Sequence, residues 1–228
     1  MHKILPIASL LISILVFFPG CKEKDPEPSN LVKDYDGNAY HVLEIGDQSW
    51  MLENLKVTHY RNGEAIPLVT ENTDWETLNS GARCNFRNEE AYADTAGRLY
   101  NWYAVNDSRQ IAPKGWHVPS DAEWQTLVDF LGGIGIAGGK MKETGQNHWV
   151  FNNTGATNES GFTAISSGYR YYMGIYADKA SCDCANWWSS TEVFPNGALI
   201  WEVYSGSTGV IRWSGLKESG FSVRCIRD

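Results

Sequence analysis

The chain has 228 residues, 43% of them hydrophobic, with ten tryptophans and eleven tyrosines; this is enough apolar material for one large packed domain and argues against disorder over most of its length. Its net charge of −8 argues against nucleic acid as a partner, because that affinity rests on clustered Lys and Arg, and equally against electrostatic docking on anionic lipid. Twenty-two glycines, with many Ser, Asn and Thr, predict frequent turns in place of a helical bundle.

In chain order, Lys3 precedes an apolar run from Ile4 to Phe18, followed by Pro19-Gly20-Cys21 and the charged Lys22-Glu23-Lys24-Asp25. A short basic start, an apolar stretch and a small residue before the break predict a secretory signal peptide over residues 1–20. The run is too short, and its far flank too charged, for a membrane-spanning helix. Cys21, in place of an ordinary cleavage site, resembles the lipobox of bacterial lipoproteins. That resemblance implies that Cys21 is lipidated and becomes the new N-terminus, with several acyl chains holding the protein on a membrane. The charges after Cys21 resemble the export tag of surface lipoproteins in Bacteroidetes-type bacteria, although a solvated linker has the same composition. The expected location is therefore the cell envelope, lipid-anchored to the outer membrane, with surface exposure as a further expectation. Residues 21–33, including Asp25-Pro26-Glu27-Pro28, read as a polar tether, and residues 34–228 as one domain.

Within that domain, Asp36-Gly37-Asn38 is a turn, Ala39 to Ile45 alternates as a strand, and Gly46-Asp47 leads into a second strand at Gln48–Met51. Asn54 to Asp74 is irregular. A helix is predicted from near Ala96 through Val105, with Gly97 as its weak point. The clearest helix follows Pro119: Ser120 and Glu123 form a capping box, Trp124, Leu127, Val128 and Leu131 lie on one face, and Gly132-Gly133 ends it. A short helix near Lys140–Glu143 comes next. Strands are then predicted at Phe162–Ile165, Gly168–Tyr172, Trp187–Thr191, Ala198–Tyr204, Val210–Trp213 and Phe221–Ile226.

With Cys21 assigned to lipid, Cys84, Cys182, Cys184 and Cys225 remain, an even number that suits two disulfides in an oxidising compartment with three connectivities open. Cys182 and Cys184 are one residue apart, so a direct bond is strained and long-range pairing with Cys84 and Cys225 is expected. A zinc site has no CxxC pair or neighbouring HxxxH to support it, and no metal or cofactor is expected.

Five ordered segments carry a family resemblance: Ile45–Leu55 (IGDQSWMLENL), Gly115–Trp124 (GWHVPSDAEW), Gly161–Ala164 with Gly168–Arg170, Trp187–Thr191 (WWSST) and Gly220–Cys225 (GFSVRC). Together they resemble the Fibrobacter succinogenes major paralogous domain, a family of largely exported or lipid-anchored bacterial proteins. More distantly they resemble the C-type-lectin-like fold shared with formylglycine-generating enzyme. The resemblance implies an α+β fold with a C-type-lectin-like core, small twisted antiparallel sheets, one or two packed helices and long loops. Many members carry a cysteine where this chain has Ala112, just before the Gly-Trp segment. If that cysteine pairs with the one in the last strand, Cys225 needs another partner here, and Cys84 is the expected substitute.

An enzymatic reading, a cysteine- or copper-dependent oxidase related to formylglycine-generating enzyme, would need a cysteine pair four residues apart; Cys182-x-Cys184 has the wrong spacing. His2, His41, His59, His117 and His148 stand in no HExxH context and no GxSxG occurs, so no catalytic residue is assigned. His117 reads as a packed, hydrogen-bonded residue. Asp74 with Glu76, or Asp178 with Asp183, could feed a calcium site, but neither follows an ordered ligand loop and solvated acids are the better reading. Asp94-Thr95-Ala96 matches a short O-glycosylation motif, a match that three residues often make by chance. Aromatics crowd the C-terminal third. Alternation places Leu199, Trp201 and Val203 on an inward face, and leaves Tyr171, Tyr172, Tyr204 and Trp213 as the exposed rings of a ligand surface. Related proteins of this fold carry their ligand surface in the same region, so the resemblance implies a binding or adhesion module for a glycan or protein ligand. A purely structural envelope component is the bland alternative.

Overall fold

The computed structural model describes residues 30–177 and 182–228. The signal peptide, Cys21, most of the tether and Asp178 lie outside the described residues.

Strand β1 (Leu31–Lys33) takes in the last three tether residues and pairs antiparallel with β2 (Ala39–Ile45), across a turn in which Asp34 accepts from the Tyr40 hydroxyl at 2.6 Å. Gly46, at φ +60°, turns the chain into β3 (Gln48–Met51). A long irregular stretch follows, as expected, and ends in α1 (Asn72–Glu76) and β4 (Arg83–Cys84).

The next helix differs from expectation. Helix α2 (Glu90–Ala96) stops where a helix was predicted to begin, because Gly97 has φ +79° and lies so close to the Asn54–Leu55 backbone that a Cβ there would meet Leu55 O at 2.9 Å. Residues 99–105 then split into β5 (Leu99–Tyr100), which pairs with β4, and α3 (Trp102–Val105), which starts where the Asn101 side chain accepts from Ala104 N.

After β6 (Trp116–His117), helix α4 (Asp121–Phe130) forms as predicted, with both halves of the Ser120–Glu123 capping box in place. Gly132 and Gly133, at φ +102° and +96°, end it. Helix α5 (Ala137–Met141) sits a few residues before its predicted position.

Strands β7 (Cys184–Phe194), β8 (Gly197–Tyr204) and β9 (Ile211–Leu216) form an antiparallel sheet, while β10 (Ile226–Arg227) inserts between β3 and β6 in the sheet ordered β1-β2-β3-β10-β6. The C-terminus thereby locks onto the N-terminal hairpin. The other predicted strands, around residues 162–165, 168–172 and 221–225, make only single bridges, such as Lys142 with Ala164 and Tyr100 with Phe221. Their apolar pattern reflects burial between the sheets, where no ladder of neighbours is available. The result is mixed α+β with small curled antiparallel sheets, as expected.

Within this sheet, β7 from Cys184 to Ser189 and β8 from Gly197 to Trp201 are buried on both faces, whereas β9 is largely exposed. Ala185, Trp187, Trp201 and Val203 pack with Trp50, Trp124, Leu127 and Phe162; Cys184, Trp188, Ala198 and Ile200 pack with Tyr100, Trp102 and Phe221. The predicted inward face of Leu199, Trp201 and Val203 is buried, but Ile200 on the opposite face is fully buried as well.

The segments that carry the family resemblance meet in one place. Trp50 lies 4.7 Å from Trp124, centroid to centroid, and Phe162 lies 5.6 Å from Trp187. The guanidinium of Arg224 stands 4.1 Å over the Phe162 ring and donates to Asn54 Oδ1 (3.0 Å) and to the Phe162 carbonyl (2.6 Å). Asn54 Oδ1 also accepts from Trp187 Nε1 at 2.8 Å. Arg224 is buried and forms no salt bridge among the described residues; burial pulls its pKa down to about 9, which leaves it charged at neutral pH.

Trp124 is fully buried among these rings. Trp124→Ala is therefore expected to cost about 3–5 kcal/mol and Ser120→Ala about 1 kcal/mol, measured by denaturant unfolding. A Trp124 variant with an unchanged midpoint would contradict this packing.

Candidate functional site

A cleft of about 310 Å³ is lined by Arg61, Asn106, Asp107, Trp116 and His117, among others. Its charges are already engaged. Arg61 donates to the carbonyls of Ala112, Pro113 and Trp116, Asp107 pairs with Arg109, and His117 bonds to both Glu123 and Asp228 at 2.8 Å. His117 is the hydrogen-bonded residue expected: burial would depress its pKa, but Asp228 and Glu123 raise it on balance. The cleft therefore offers a ligand no charged side chain that is not already paired, among those described.

The aromatic C-terminal third does offer free groups. Residues 171–175 form a tight turn, with Tyr171 N donating to Ile175 O and Gly174 at φ +81°. The turn is held from below by Arg170, which is fully buried. Its guanidinium donates to Gly174 O, Val69 O, Thr70 O and Asn72 Oδ1, and it lies 4.4 Å over the Trp75 ring. Fixed in this way, the turn exposes Tyr171, Tyr172, Met173 and Ile175, each about 40–50% accessible.

At the neighbouring end of the sheet, Glu202 and Tyr204 share one face of β8, two residues apart. Lys142, buried under the following loop, donates to the carbonyls of Thr154, Tyr204 and Ser207 and so fixes the chain on either side of Tyr204. Trp213 on β9 donates to Glu202 Oε2 at 3.0 Å and packs edge-on against Phe221. Phe221 stacks on Tyr169, whose hydroxyl donates to that of Tyr171 at 2.8 Å. A continuous path of rings thus runs from the turn to Glu202.

Of the rings expected at a ligand surface, Tyr171, Tyr172 and Tyr204 are exposed; Trp213 is half-buried and presents only part of its ring. Tyr171 and Trp213 are joined through Tyr169 and Phe221, and Tyr204 lies along β8 from Glu202; Tyr172 makes no hydrogen bond or ring contact among the described residues. Glu202 itself was missed by sequence reasoning. Its signal was present: it is the one charged residue in Ala198–Tyr204. Burial raises its pKa, the Trp213 hydrogen bond acting the other way, and no salt bridge to it exists among the described residues.

The cysteines correct the expected pairing. Cys182 and Cys184 are bonded to each other, with Cα atoms 5.3 Å apart, while Cys84 and Cys225 are free and buried. The free pair cannot substitute for a long-range bridge because the fold separates them: Cys84 packs with Trp75, Phe86 and Leu99, and Cys225 packs in the large cluster with Tyr40, Met51 and Ala112. Burial raises the pKa of both free thiols. The bonded pair retains no thiolate for copper. Glu202 lies beside it, its carboxylate and the two sulfurs all falling within 4.8 Å of one another. Among the calcium candidates, Asp183 is buried and accepts from Val150 N and Phe151 N, a local structural role; Asp74 and Glu76 are exposed on α1.

The model of one family, described as Fibrobacter succinogenes major domain, matches residues 43–227, nearly the whole described domain. No curated protein and no solved structure matches the chain, so the likeness to the C-type-lectin-like fold of formylglycine-generating enzyme rests on the sequence segments alone. No helix among the described residues is long and apolar enough to cross a membrane.

Peptide mapping after alkylation in denaturant is expected to find Cys84 and Cys225 alkylated and Cys182 linked to Cys184. A Cys84–Cys225 link would contradict the separation of the two clusters.

Proposed function

The chain belongs to the Fibrobacter succinogenes major domain family, and on that footing we propose that it is a lipid-anchored module of the cell envelope that binds a glycan or protein ligand through the face formed by Tyr171, Tyr172, Tyr204, Trp213 and Glu202. The observation that carries the reading is Glu202: a half-buried carboxylate without a cationic partner among the described residues, bonded to the half-buried Trp213 and two residues from the exposed Tyr204 on the same face of β8. Flat rings stack on the apolar face of a sugar or anchor a protein surface at low entropic cost, and a carboxylate accepts from hydroxyl or amide donors. Arg170 and Lys142 hold both halves of the face in place before any ligand arrives, which lowers the ordering cost of binding. The segments shared with the family build the core beneath, and the exposed turn lies outside them. The apolar run before Cys21 supports the anchor.

Tyr171→Ala, Tyr172→Ala and Tyr204→Ala are each expected to keep the fold, and to weaken binding to a ligand found on a glycan array by about 1–3 kcal/mol per critical ring. Trp213→Ala should lose binding together with some stability, since it also packs on Phe221. Leu199→Ala, inside the core, should lower stability alone. Normal binding by all the ring variants would place the ligand surface elsewhere. In bacterial cells that express the full chain, Cys21→Ser should abolish labelling with a lipid precursor and release the protein from the membrane fraction; unchanged labelling would refute the anchor.

A further inference from the structure

We propose that the Cys182–Cys184 disulfide is a thiol–disulfide exchange site, attacked at Cys182 by a dithiol substrate, with Glu202 relaying the protons. This inference shares Glu202 with the ligand face but does not depend on that face binding anything.

The first ground is what the bond does not do. A disulfide stabilises a fold mainly by restricting the unfolded chain, and this restriction shrinks with the loop it closes. A bridge across the single residue Asp183 closes almost no loop. The neighbouring backbone is already fixed, since Asp183 accepts from two amides and Ser205 N donates to Asp183 O. The bond is therefore poorly explained as a staple.

The second ground is the asymmetry of the two sulfur-bearing residues. Cys182 is half-buried and Cys184 fully buried at the start of β7, so Cys182 is the more accessible of the two residues. Exchange proceeds by a thiolate attacking one sulfur and expelling the other, and access decides which is attacked. Attack at Cys182 makes Cys184 the leaving group. Asn186, two residues along the same face of β7, donates from Nδ2 to Cys184 Sγ at 2.9 Å, a contact that stabilises negative charge on that sulfur. A better-stabilised leaving thiolate departs faster.

The third ground is the position of Glu202. It lies opposite Asn186 across the β7–β8 pair, its carboxylate oxygen within 4.8 Å of both sulfurs, a span that one water molecule bridges. The groups facing it are Trp213 from β9, which donates to Oε2, and Tyr169 from the loop before the exposed turn. Burial raises its pKa, the Trp213 hydrogen bond acting the other way, and its position beside both sulfurs lets a proton pass to or from either of them.

The chemistry balances with the dithiol as the only co-reactant. One substrate thiolate attacks Cys182 Sγ, the Cys182–Cys184 bond breaks, and the Cys184 thiolate takes a proton from Glu202. The second substrate thiol gives its proton to the Glu202 carboxylate and attacks the substrate sulfur of the mixed disulfide. Cys182 leaves as a thiolate that takes a proton from solvent, matching the one lost when the first substrate thiol ionised. The substrate is oxidised by two electrons to a disulfide and the cysteine pair is reduced to a dithiol.

The test uses the full-length folded protein with dithiothreitol as the dithiol, quenching with an alkylating agent and mapping the modified cysteines. Cys182 and Cys184 should become alkylated while Cys84 and Cys225, buried in the same molecules, stay protected. A monothiol pulse should leave its adduct on Cys182. Glu202→Gln should slow reduction by about tenfold or more, Glu202→Asp should recover much of the rate, and Val193→Ala, at an exposed position near the far end of β7, should change nothing. A disulfide that resists dithiothreitol until the protein unfolds would overturn the proposal, as would an adduct on Cys184 or a folded Glu202→Gln variant reduced at the wild-type rate. Should Glu202→Gln fail to fold, the adduct position in the wild type decides the matter. No ligand is present in the assay, so its failure is separate from any failure of ligand binding.

Discussion

The guanidinium of Arg224 is the constraint on which the rest of the structure depends. A cation in no salt bridge is costly to bury, and it is tolerated only where oxygen acceptors and aromatic faces replace water. Asn54 Oδ1, the Phe162 carbonyl and the rings of Phe162 and Trp187 fill those roles. The acceptors come from distant parts of the chain, so Arg224 is satisfied only when the N-terminal hairpin, the central loops, β7 and the C-terminal segment have all docked. Asn54 extends the same network to the end of α2 by donating to Ala96 O.

Arg170 and Lys142 repeat this device nearer the surface. Both are buried, both donate to backbone carbonyls of loops, and neither forms a salt bridge among the described residues. Each replaces the regular ladder that a loop lacks with a fixed cation that gathers several carbonyls. This accounts for how a chain with short strands and long connections can hold rings in defined positions at one end of the β7–β9 sheet. The core carries the family resemblance, and the rings, Glu202 and the Cys182–Cys184 pair are carried on its edge.

What was legible in the sequence was local. The hairpin at residues 39–51 and helix α4 follow from turn residues, a capping box and helical spacing, all within a few residues of one another. The failures came where distant partners decide. Apolar alternation at residues 162–165 and 221–225 reads as strand, yet these segments thread between layers with single bridges. Alternation in β8 suggests one buried face, but segments from elsewhere cover Ile200 too, so only Glu202 and Tyr204 reach the edge. Nothing local marks Arg170, Lys142 and Arg224 as buried cations, because most of their acceptors lie far along the chain. The cysteine pairing was misjudged because ring strain was weighed against a long-range bridge that the fold does not allow.

The coupling between Arg224 and Asn54 holds the two ends of the domain to its core. A double-mutant cycle with Arg224→Met, Asn54→Leu and the combined variant, followed by denaturant unfolding, measures it. Each single change leaves a buried polar group without its partner, whereas the double change removes both, so a coupling of about 1–3 kcal/mol is predicted, with the double variant losing less than the sum of the singles. Additivity within about 0.5 kcal/mol would contradict the claim that these two side chains fasten the ends of the domain to its core.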